Sequence, residues 1–200
     1  MKRSRSVISL TVVFVAGFLS GILFSAWKLE KLEHPSDNKQ VAQKQQDAKE
    51  VLRGRIADTE RMLARDPNNL AALVQLGNDQ FDAGNYEAAI AAYERALKIE
   101  PRDPDVITDM GIALRRAQRP LEAVGAFRKA LEADPNHPLA MFNLGLVLRD
   151  DLKDYDGALK AWEMFLEKAS DSPHAVMVRP WVKQLREKIG ASQDGGAASK

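Results

Sequence analysis

The residue types that most often carry out chemistry are few and scattered in this chain. The three histidines, His34, His137 and His174, stand far apart, so none pairs with another at helical spacing to hold a metal ion. There is no cysteine, which excludes disulfides, thiolate metal sites and cysteine nucleophiles. A glycine-rich phosphate loop and a Gly-x-Ser-x-Gly turn are also absent from the sequence. We therefore expect no metal and no cofactor, and the sequence does not predict an enzyme.

One turn is acidic, with Asp150 and Asp151 followed by Asp154. Carboxylate oxygens at this spacing are the ligands of a weak cation site. Aspartate-rich turns are also common as solvated loops, because aspartate bonds to its own backbone in turns. The solvated loop is the interpretation that the sequence favours.

The charge is balanced over the whole chain but not along it. The 200 residues include 29 basic and 28 acidic side chains, a net charge of +1 that argues against a broad nucleic-acid surface. The first acidic residue is Glu30, so the residues before it carry +4 and the remainder carries −3. Two unlike segments are averaged in the overall composition.

Residues 7–27 predict a membrane anchor. The run has 21 residues without a charge, and a helix of this length spans roughly 30 Å, the thickness of a bilayer core. Lys2, Arg3 and Arg5 precede it, so residues 1–6 are expected in the cytoplasm and the rest outside, in the periplasm of a bacterium with the anchor in its inner membrane. A cleaved signal peptide is the alternative, but its apolar region is shorter and ends in a small-x-small site.

Gly17, Gly21 and Ser25 place a small residue at every fourth position of the predicted anchor. A face of small residues lets two membrane helices approach closely, which would give a homo-oligomer. The alternative is that glycine is simply common in membrane helices. Residues 28–54, which follow, are polar and contain no aromatic residue, and we interpret them as a partly helical stalk with a break at His34–Asp37.

The rest of the chain repeats itself every 34 residues. This interval relates Pro67, Pro101 and Pro135, and it also relates Gly77, Gly111 and Gly145. Each unit predicts two helices, because apolar residues follow helical spacing on both sides of a short break and the proline ends the second helix. One pair of helices cannot bury its apolar face alone, so the units must stack.

These units resemble the tetratricopeptide repeat family. The matching residues of the first unit are Leu76, Gly77, Tyr86, Ala89, Tyr93, Ala96 and Pro101. Those of the second are Met110, Gly111, Ala123, Phe127, Ala130 and Pro135. Those of the third are Leu144, Gly145, Tyr155, Ala158 and Trp162. The resemblance implies an all-α solenoid, with a partial repeat at 55–69, repeats at 70–103, 104–137 and 138–172, a capping helix at 173–189 and a disordered tail at 190–200.

The sequence departs from the family pattern at several positions. Pro120 stands where the second unit should have an aromatic residue. The third unit has one extra residue in its turn and places Phe165 where an alanine is expected, so its inner packing is the least certain. Pro180 must either start the regular part of the capping helix or kink it.

In this family the first helix of each repeat lines a concave groove, and the resemblance implies that outward positions of those helices bind a protein segment. Mapped by spacing from the glycines, these positions are Val74, Gln75, Asn78, Phe81, Asp82, Thr108, Asp109, Ile112, Arg115, Arg116, Phe142, Asn143, Leu146, Arg149 and Asp150. Apolar and hydrogen-bonding side chains together suit a peptide or a helix. The alternative for Phe81 and Phe142 is that they only pack onto neighbouring helices.

Some members of the family bind a C-terminal carboxylate through a clamp of basic and asparagine side chains. Asn78 fits one clamp position, but Val74, Asp109, Leu139 and Asn143 occupy the positions where lysine, asparagine, lysine and arginine are required. The clamp is absent, so binding of cytosolic chaperone tails is not expected.

An anchor followed by regular repeats is similar in layout to the bacterial NrfG and CcmI type of c-type cytochrome maturation factors. That resemblance implies an adaptor that holds apocytochrome or the haem-ligation machinery in its groove. Other functions fit the same layout: an ancillary chaperone of the secretion translocon resembling YfgM, a scaffold for envelope or pilus assembly, and a regulatory subunit of an enzyme complex. We expect a protein partner and no nucleic acid.

Overall fold

The computed structural model describes residues 35–197, which form eight α-helices and no strand. The helices are α1 (Pro35–Arg65), α2 (Leu70–Asp82), α3 (Tyr86–Ile99), α4 (Pro104–Arg116), α5 (Pro120–Ala133), α6 (Pro138–Leu146), α7 (Tyr155–Lys168) and α8 (Pro173–Ala197). No helix in this range is long and apolar enough to cross a membrane. The predicted anchor at 7–27, with Gly17, Gly21 and Ser25, lies outside the described residues.

The chain divides into two compact units, residues 1–50 and 51–200. The described part of the first unit, residues 35–50, belongs entirely to α1 and exposes its side chains from residue 39 onward. The second unit contains the remainder of α1 and the seven helices that follow. Consecutive helices of this unit pack against each other from α2 to α8.

Two helices extend further than the sequence predicted. The sequence predicted a break at His34–Asp37 with Ser36 or Asp37 capping a following helix, and α1 begins slightly earlier, at Pro35, and continues without interruption to Arg65. Proline is accepted there because the first turn of a helix does not need its N–H. At the other end α8 continues to Ala197, so the tail predicted as disordered at 190–200 is helical through that residue. Gly190 weakens the helix by about 1 kcal/mol, but each further residue of a nucleated helix adds a hydrogen bond.

Side chains that accept hydrogen bonds fix the starts of several helices. Asn69 accepts a bond from the backbone of Ala72 at the start of α2, and Asp154 accepts one from Gly157 at the start of α7. Asp103 accepts two at the start of α4, where Pro104 is the first helical residue. Pro120 takes the same first position in α5, which explains why the second repeat tolerates proline in place of the family's aromatic residue.

Each repeat is closed by an aromatic ring lying on a glycine. Tyr93 covers Gly77, Phe127 covers Gly111 and Trp162 covers Gly145, and the three rings are 2% exposed or less. A Cβ atom added at Gly111 would lie 2.6 Å from Cε1 of Phe127, closer than atoms can pack. Glycine therefore sets the separation of the two helices in every repeat.

The third repeat absorbs its extra residue in a π-helical turn. Residues Val147–Asp151 continue α6 with this wider spacing, and the backbone N–H of Leu152 then bonds to the carbonyl of Val147. Such a turn holds one residue more than an α-helical turn. Phe165 is 1% exposed, so the large side chain is accommodated, and Pro180 lies inside α8 rather than at its start.

Candidate functional site

A pocket of about 300 Å³ opens between the first two repeats. It is lined by Asn78, Phe81, Asp82, Tyr93, Asp109 and Ile112, which we call the acidic pocket. Five of these side chains come from the positions of α2 and α4 that the sequence assigned to the groove: Asn78, Phe81, Asp82, Asp109 and Ile112. The pocket has apolar walls from Phe81 and Ile112 and two carboxylates.

A hydrogen bond between two of its residues fixes one wall of the acidic pocket. The hydroxyl of Tyr93 donates to Oδ1 of Asn78 at 2.7 Å, so the amide NH₂ of Asn78 is left as a donor. Burial raises the pKa of the Tyr93 hydroxyl, and the negative charges of Asp109 and Asp82 raise that pKa further. The phenol therefore stays protonated and keeps donating to Asn78.

Asp109 is held in an environment that opposes its negative charge. Burial is the largest cause that raises the pKa of its carboxyl to about 6, and the charges of Asp105 and Asp103 add to it. The neighbouring His137 acts in the opposite direction. Asp109 is thus charged at neutral pH only at a cost to the stability of the folded state.

The positions that correspond to Phe81 one and two repeats later, Arg115 and Arg149, make contacts within the protein. Arg115 binds Asp151 at 2.5 Å and Asp150 at 3.4 Å, across the space between α4 and the π-helical turn. Arg149 lies over the rings of Trp181 and Trp162, 4.3 and 4.8 Å from their centres, and also binds Asp150. These arginines are therefore engaged in cation–π contacts and ion pairs.

Phe142 does not line the groove, which corrects the sequence prediction. It is 8% exposed, and its ring lies 6.4 Å from that of Trp181 in a stacked arrangement and 4.6 Å from that of His174. On the inner side its ring is 5.9 Å from that of Phe165. The capping helix α8 therefore covers the position, and of the two alternatives for Phe142 the packing role is correct. We call Phe142, Arg149, Trp162 and Trp181 the aromatic stack.

Thr108 is the second correction, because its side chain is fully buried. Its hydroxyl donates to the carbonyl of Pro104 at 2.7 Å, one turn earlier in α4. The position lies three residues before Gly111 and shares the face that packs inward. A hydroxyl bound to its own helix cannot read a peptide backbone.

The remaining predicted positions vary in their contacts. Gln75 donates to Asp79 at 2.9 Å, and Asn143 donates to the carbonyl of Leu139 at 2.9 Å. Arg116 is exposed, whereas Val74 and Leu146 are partly buried. The acidic pocket brings predicted residues of two repeats together in a single concave site.

Sequence reasoning missed the buried carboxylate of Asp79. This side chain is fully buried in α2 and binds Arg55 of α1 and Gln75 of its own helix. It also missed His137, which is 8% exposed and whose Nε2 lies 3.7 Å from the carboxylate of Asp105. The signal for Asp79 in the sequence was an acidic residue among the apolar, inward-facing positions of α2. Its partner Arg55 lies 24 residues earlier, so the spacing within the repeat does not indicate the pair.

The acidic turn after α6 is used for ion pairs, since Asp150 and Asp151 bind the arginines described above. Among residues 35–197 no group of three or more side chains is placed to hold a metal ion. A larger pocket of about 480 Å³ lies where α3, α4 and α5 meet, with Arg102, Lys129 and Glu132 in its lining. It contains none of the predicted groove residues and has no dominant charge.

The fold and the aromatic–glycine contacts define a repeat solenoid of the tetratricopeptide class. A family model described as "Tetratricopeptide repeat" matches residues 108–173, and a second, described as "TPR repeat", matches residues 77–117. Residues 77–173 therefore carry tetratricopeptide repeats, as the sequence predicted.

Solved structures show the same fold at low sequence identity. MamA is 23% identical, with a TM-score of 0.65, over 73% of this chain and 83% of that chain. The repeat domain of Sgt2 from Aspergillus fumigatus is 26% identical, with a TM-score of 0.56, over 64% and 83%. The first repeat domain of Spaghetti (RPAP3), solved with the HSP90 peptide SRMEEVD, is 20% identical, with a TM-score of 0.55, over 60% and 93%. No curated protein sequence matches the chain.

Proposed function

We propose that the chain is a non-enzymatic adaptor that binds a segment of another protein in the groove lined by α2 and α4. The observation that carries the proposal is the acidic pocket, where groove positions of two successive repeats form one open concavity. Apolar walls with a few hydrogen-bonding groups are typical of sites that hold an extended peptide. The RPAP3 repeat domain, similar in fold, was solved with a peptide bound.

The proposal includes a location. An uncharged run at 7–27 with Lys2, Arg3 and Arg5 before it favours a single membrane anchor, with the repeats on the outer side of a bacterial inner membrane. The layout further supports a role in c-type cytochrome maturation. Two other roles are possible for the same adaptor. One is that of an ancillary chaperone at the secretion translocon, and the other is assembly of the envelope or of pili.

Site-directed photocrosslinking in intact membranes tests the adaptor. A photoreactive amino acid is placed at Asn78 in the acidic pocket, and in the control at Leu121, which is 74% exposed on α5. We expect crosslinks at Asn78 to map to one segment of one protein and to disappear when Ile112→Lys puts a cation on the pocket wall. Equal capture from both positions, or capture that survives Ile112→Lys, would overturn the proposal.

Two further measurements address location and pathway. A reporter active only outside the cytoplasm, fused after Lys200, is expected to be active, and activity of a cytoplasm-specific reporter instead would reverse the orientation. In a strain that lacks the protein, c-type cytochromes are expected to lose their haem. Normal cytochromes together with crosslinks to translocon or pilus components would favour the competing roles.

A further inference from the structure

We infer that the acidic pocket binds a lysine or arginine side chain of the partner segment. This inference rests on the proposed function, because it specifies which type of side chain on the partner segment the groove binds. The pocket lining contains two carboxylates, Asp82 and Asp109, and among its six residues there is no cation. A cationic side chain is the complement of that lining.

Two arginines near the pocket, Arg115 and Arg55, bind other carboxylates. Arg115, one turn beyond Ile112 in α4, binds Asp150 and Asp151. Arg55 binds the fully buried Asp79, which does not line the pocket. The negative charges of Asp82 and Asp109 act instead on the hydroxyl of Tyr93. The charge that would balance them must therefore come from outside these contacts.

The walls of the pocket fit the shape of a long basic side chain. Lysine and arginine bury their methylene stems against apolar surface and keep the charged group in a polar environment. Phe81 and Ile112 supply the apolar surface, and Asp82 and Asp109 supply the polar end. The face of an aromatic ring such as Phe81 adds attraction for a cation.

Asp109 itself points to a ligand. A partly buried carboxylate with Asp103 and Asp105 nearby is unfavourable in the empty protein, and that burden raises its pKa to about 6. A cation bound beside Asp109 would relieve the same repulsion. The peptide SRMEEVD held by the RPAP3 domain has one arginine against two glutamates and an aspartate, so its net charge is opposite to the charge that this pocket would attract.

The test measures selection from a peptide library by the full 200-residue chain in detergent micelles. Peptides with blocked ends carry lysine, arginine, glutamine or glutamate at one fixed position and random residues elsewhere. We expect lysine and arginine peptides to be enriched about tenfold over glutamine peptides and glutamate peptides to be depleted. The comparison is repeated with Asp109→Asn and Asp82→Asn, and with Glu94→Gln as the matched control, since Glu94 is exposed on α3 outside the pocket.

The two aspartate variants are expected to lose the preference for lysine and arginine, whereas Glu94→Gln keeps it. Asp82→Lys should turn the preference toward glutamate peptides, and it should fold, because Arg116 occupies the same position one repeat later. If peptide binding depends on Ile112 but lysine and arginine peptides are not enriched, this inference is wrong and the proposal of an adaptor stands. Binding unaffected by Ile112→Lys would instead overturn the proposed function.

Discussion

The open and the covered ends of the groove use the same helix positions in opposite ways. Asn78 and Phe81 in the first repeat correspond by the 34-residue interval to Ile112 and Arg115 in the second, and to Leu146 and Arg149 in the third. At the first repeat these positions line an open pocket, whereas Arg149 at the third lies on Trp162 and Trp181.

The difference shows what a capping helix does to a binding surface. Trp181 of α8 covers the surface of the third repeat by contacting Phe142, Trp162 and Arg149, so these side chains are used for packing within the protein. Groove residues at the open end should therefore affect binding more than folding, and those of the aromatic stack the reverse. Each prediction below tests a part of this contrast.

The largest effect on folding is expected at the centre of the aromatic stack. Trp162→Ala removes a fully buried ring that also donates to the carbonyl of Phe142 at 3.1 Å, and should lower the free energy of unfolding by about 4 kcal/mol. Phe81→Ala at the open end is the matched change, and partial burial limits its cost to about 1 kcal/mol. Urea unfolding followed by circular dichroism measures both. Similar losses for the two variants would remove the contrast.

The open end contains a non-local ion pair of its own, between Arg55 of α1 and Asp79 of α2. Arg55→Ala leaves the buried carboxylate of Asp79 with Gln75 as its remaining partner described above, and we expect a loss of about 2 kcal/mol. Arg53→Ala, an exposed arginine half a turn away, should change stability by less than about 0.5 kcal/mol. Urea midpoints of the two variants give the comparison. An equal shift for both would mean that the ion pair contributes nothing.

Arginines at the covered end should matter more for folding than arginines at the open surface. Arg149→Ala loses the contacts with both tryptophan rings and the pair with Asp150, and should cost about 1 kcal/mol. Arg116→Ala, at an exposed position of α4, should cost little. Calorimetry compares the thermal unfolding midpoints of the two variants with that of the unchanged protein. A larger loss at Arg116 would contradict the assignment of Arg149 to packing.

The smallest effect is a gain in stability at the acidic pocket. Asp109 has a pKa of about 6 in the folded protein, against an ordinary value of 3.8. Between these values the folded state holds a proton that the unfolded state has released, so stability falls as the pH rises through this window and the loss is complete above it. Asp109→Asn removes the loss and should stabilise by about 1 kcal/mol at pH 7.5, with allowance for solvent screening of a partly exposed group.

The same variant should bring no gain at pH values well below 3.8, where Asp109 is neutral in both states. Urea unfolding from pH 7.5 down to about pH 3 follows the trend, with Glu94→Gln as the control that should not show it. The groups that face Asp109 are Asp82 of α2, Tyr93 of α3, Asp103 and Asp105 at the start of α4, and His137 before α6. A gain independent of pH would mean that Asp109 is not the group that titrates.

The 34-residue periodicity was sufficient to predict most of the helices and the residues at the open end of the groove. The 34-residue interval placed helices, glycines and rings, because each repeat packs by contacts within itself and with its neighbour. It also gave Asn78, Phe81, Asp109 and Ile112, which now line one pocket. Thr108 was assigned wrongly because a position only one residue from Asp109 turns by 100° toward the core.

The covered end could not be predicted in the same way. Trp181 covers Phe142 from a helix outside the repeat pattern, and nothing in the spacing of the third repeat indicates that contact. The pair of Arg55 with Asp79 is equally non-local. The extra residue of the third repeat was visible in the sequence. Its accommodation in a π-helical turn was not, because that turn contains Val147 and Leu148, whose side chains are buried in the core.

That π-helical turn also makes the charge of the groove sensitive to chain length. One residue fewer in Val147–Asp151 would restore α-helical spacing and rotate the residues after it by about 100°. Asp150 and Asp151 would then no longer face Arg115, which would be released into the groove beside the acidic pocket. A single deletion, with every residue of the acidic pocket unchanged, would thus place a cation beside the carboxylates and weaken the preference for basic ligands that we infer. Among related chains, insertions and deletions at this turn are expected to track partner choice as closely as substitutions in the pocket do.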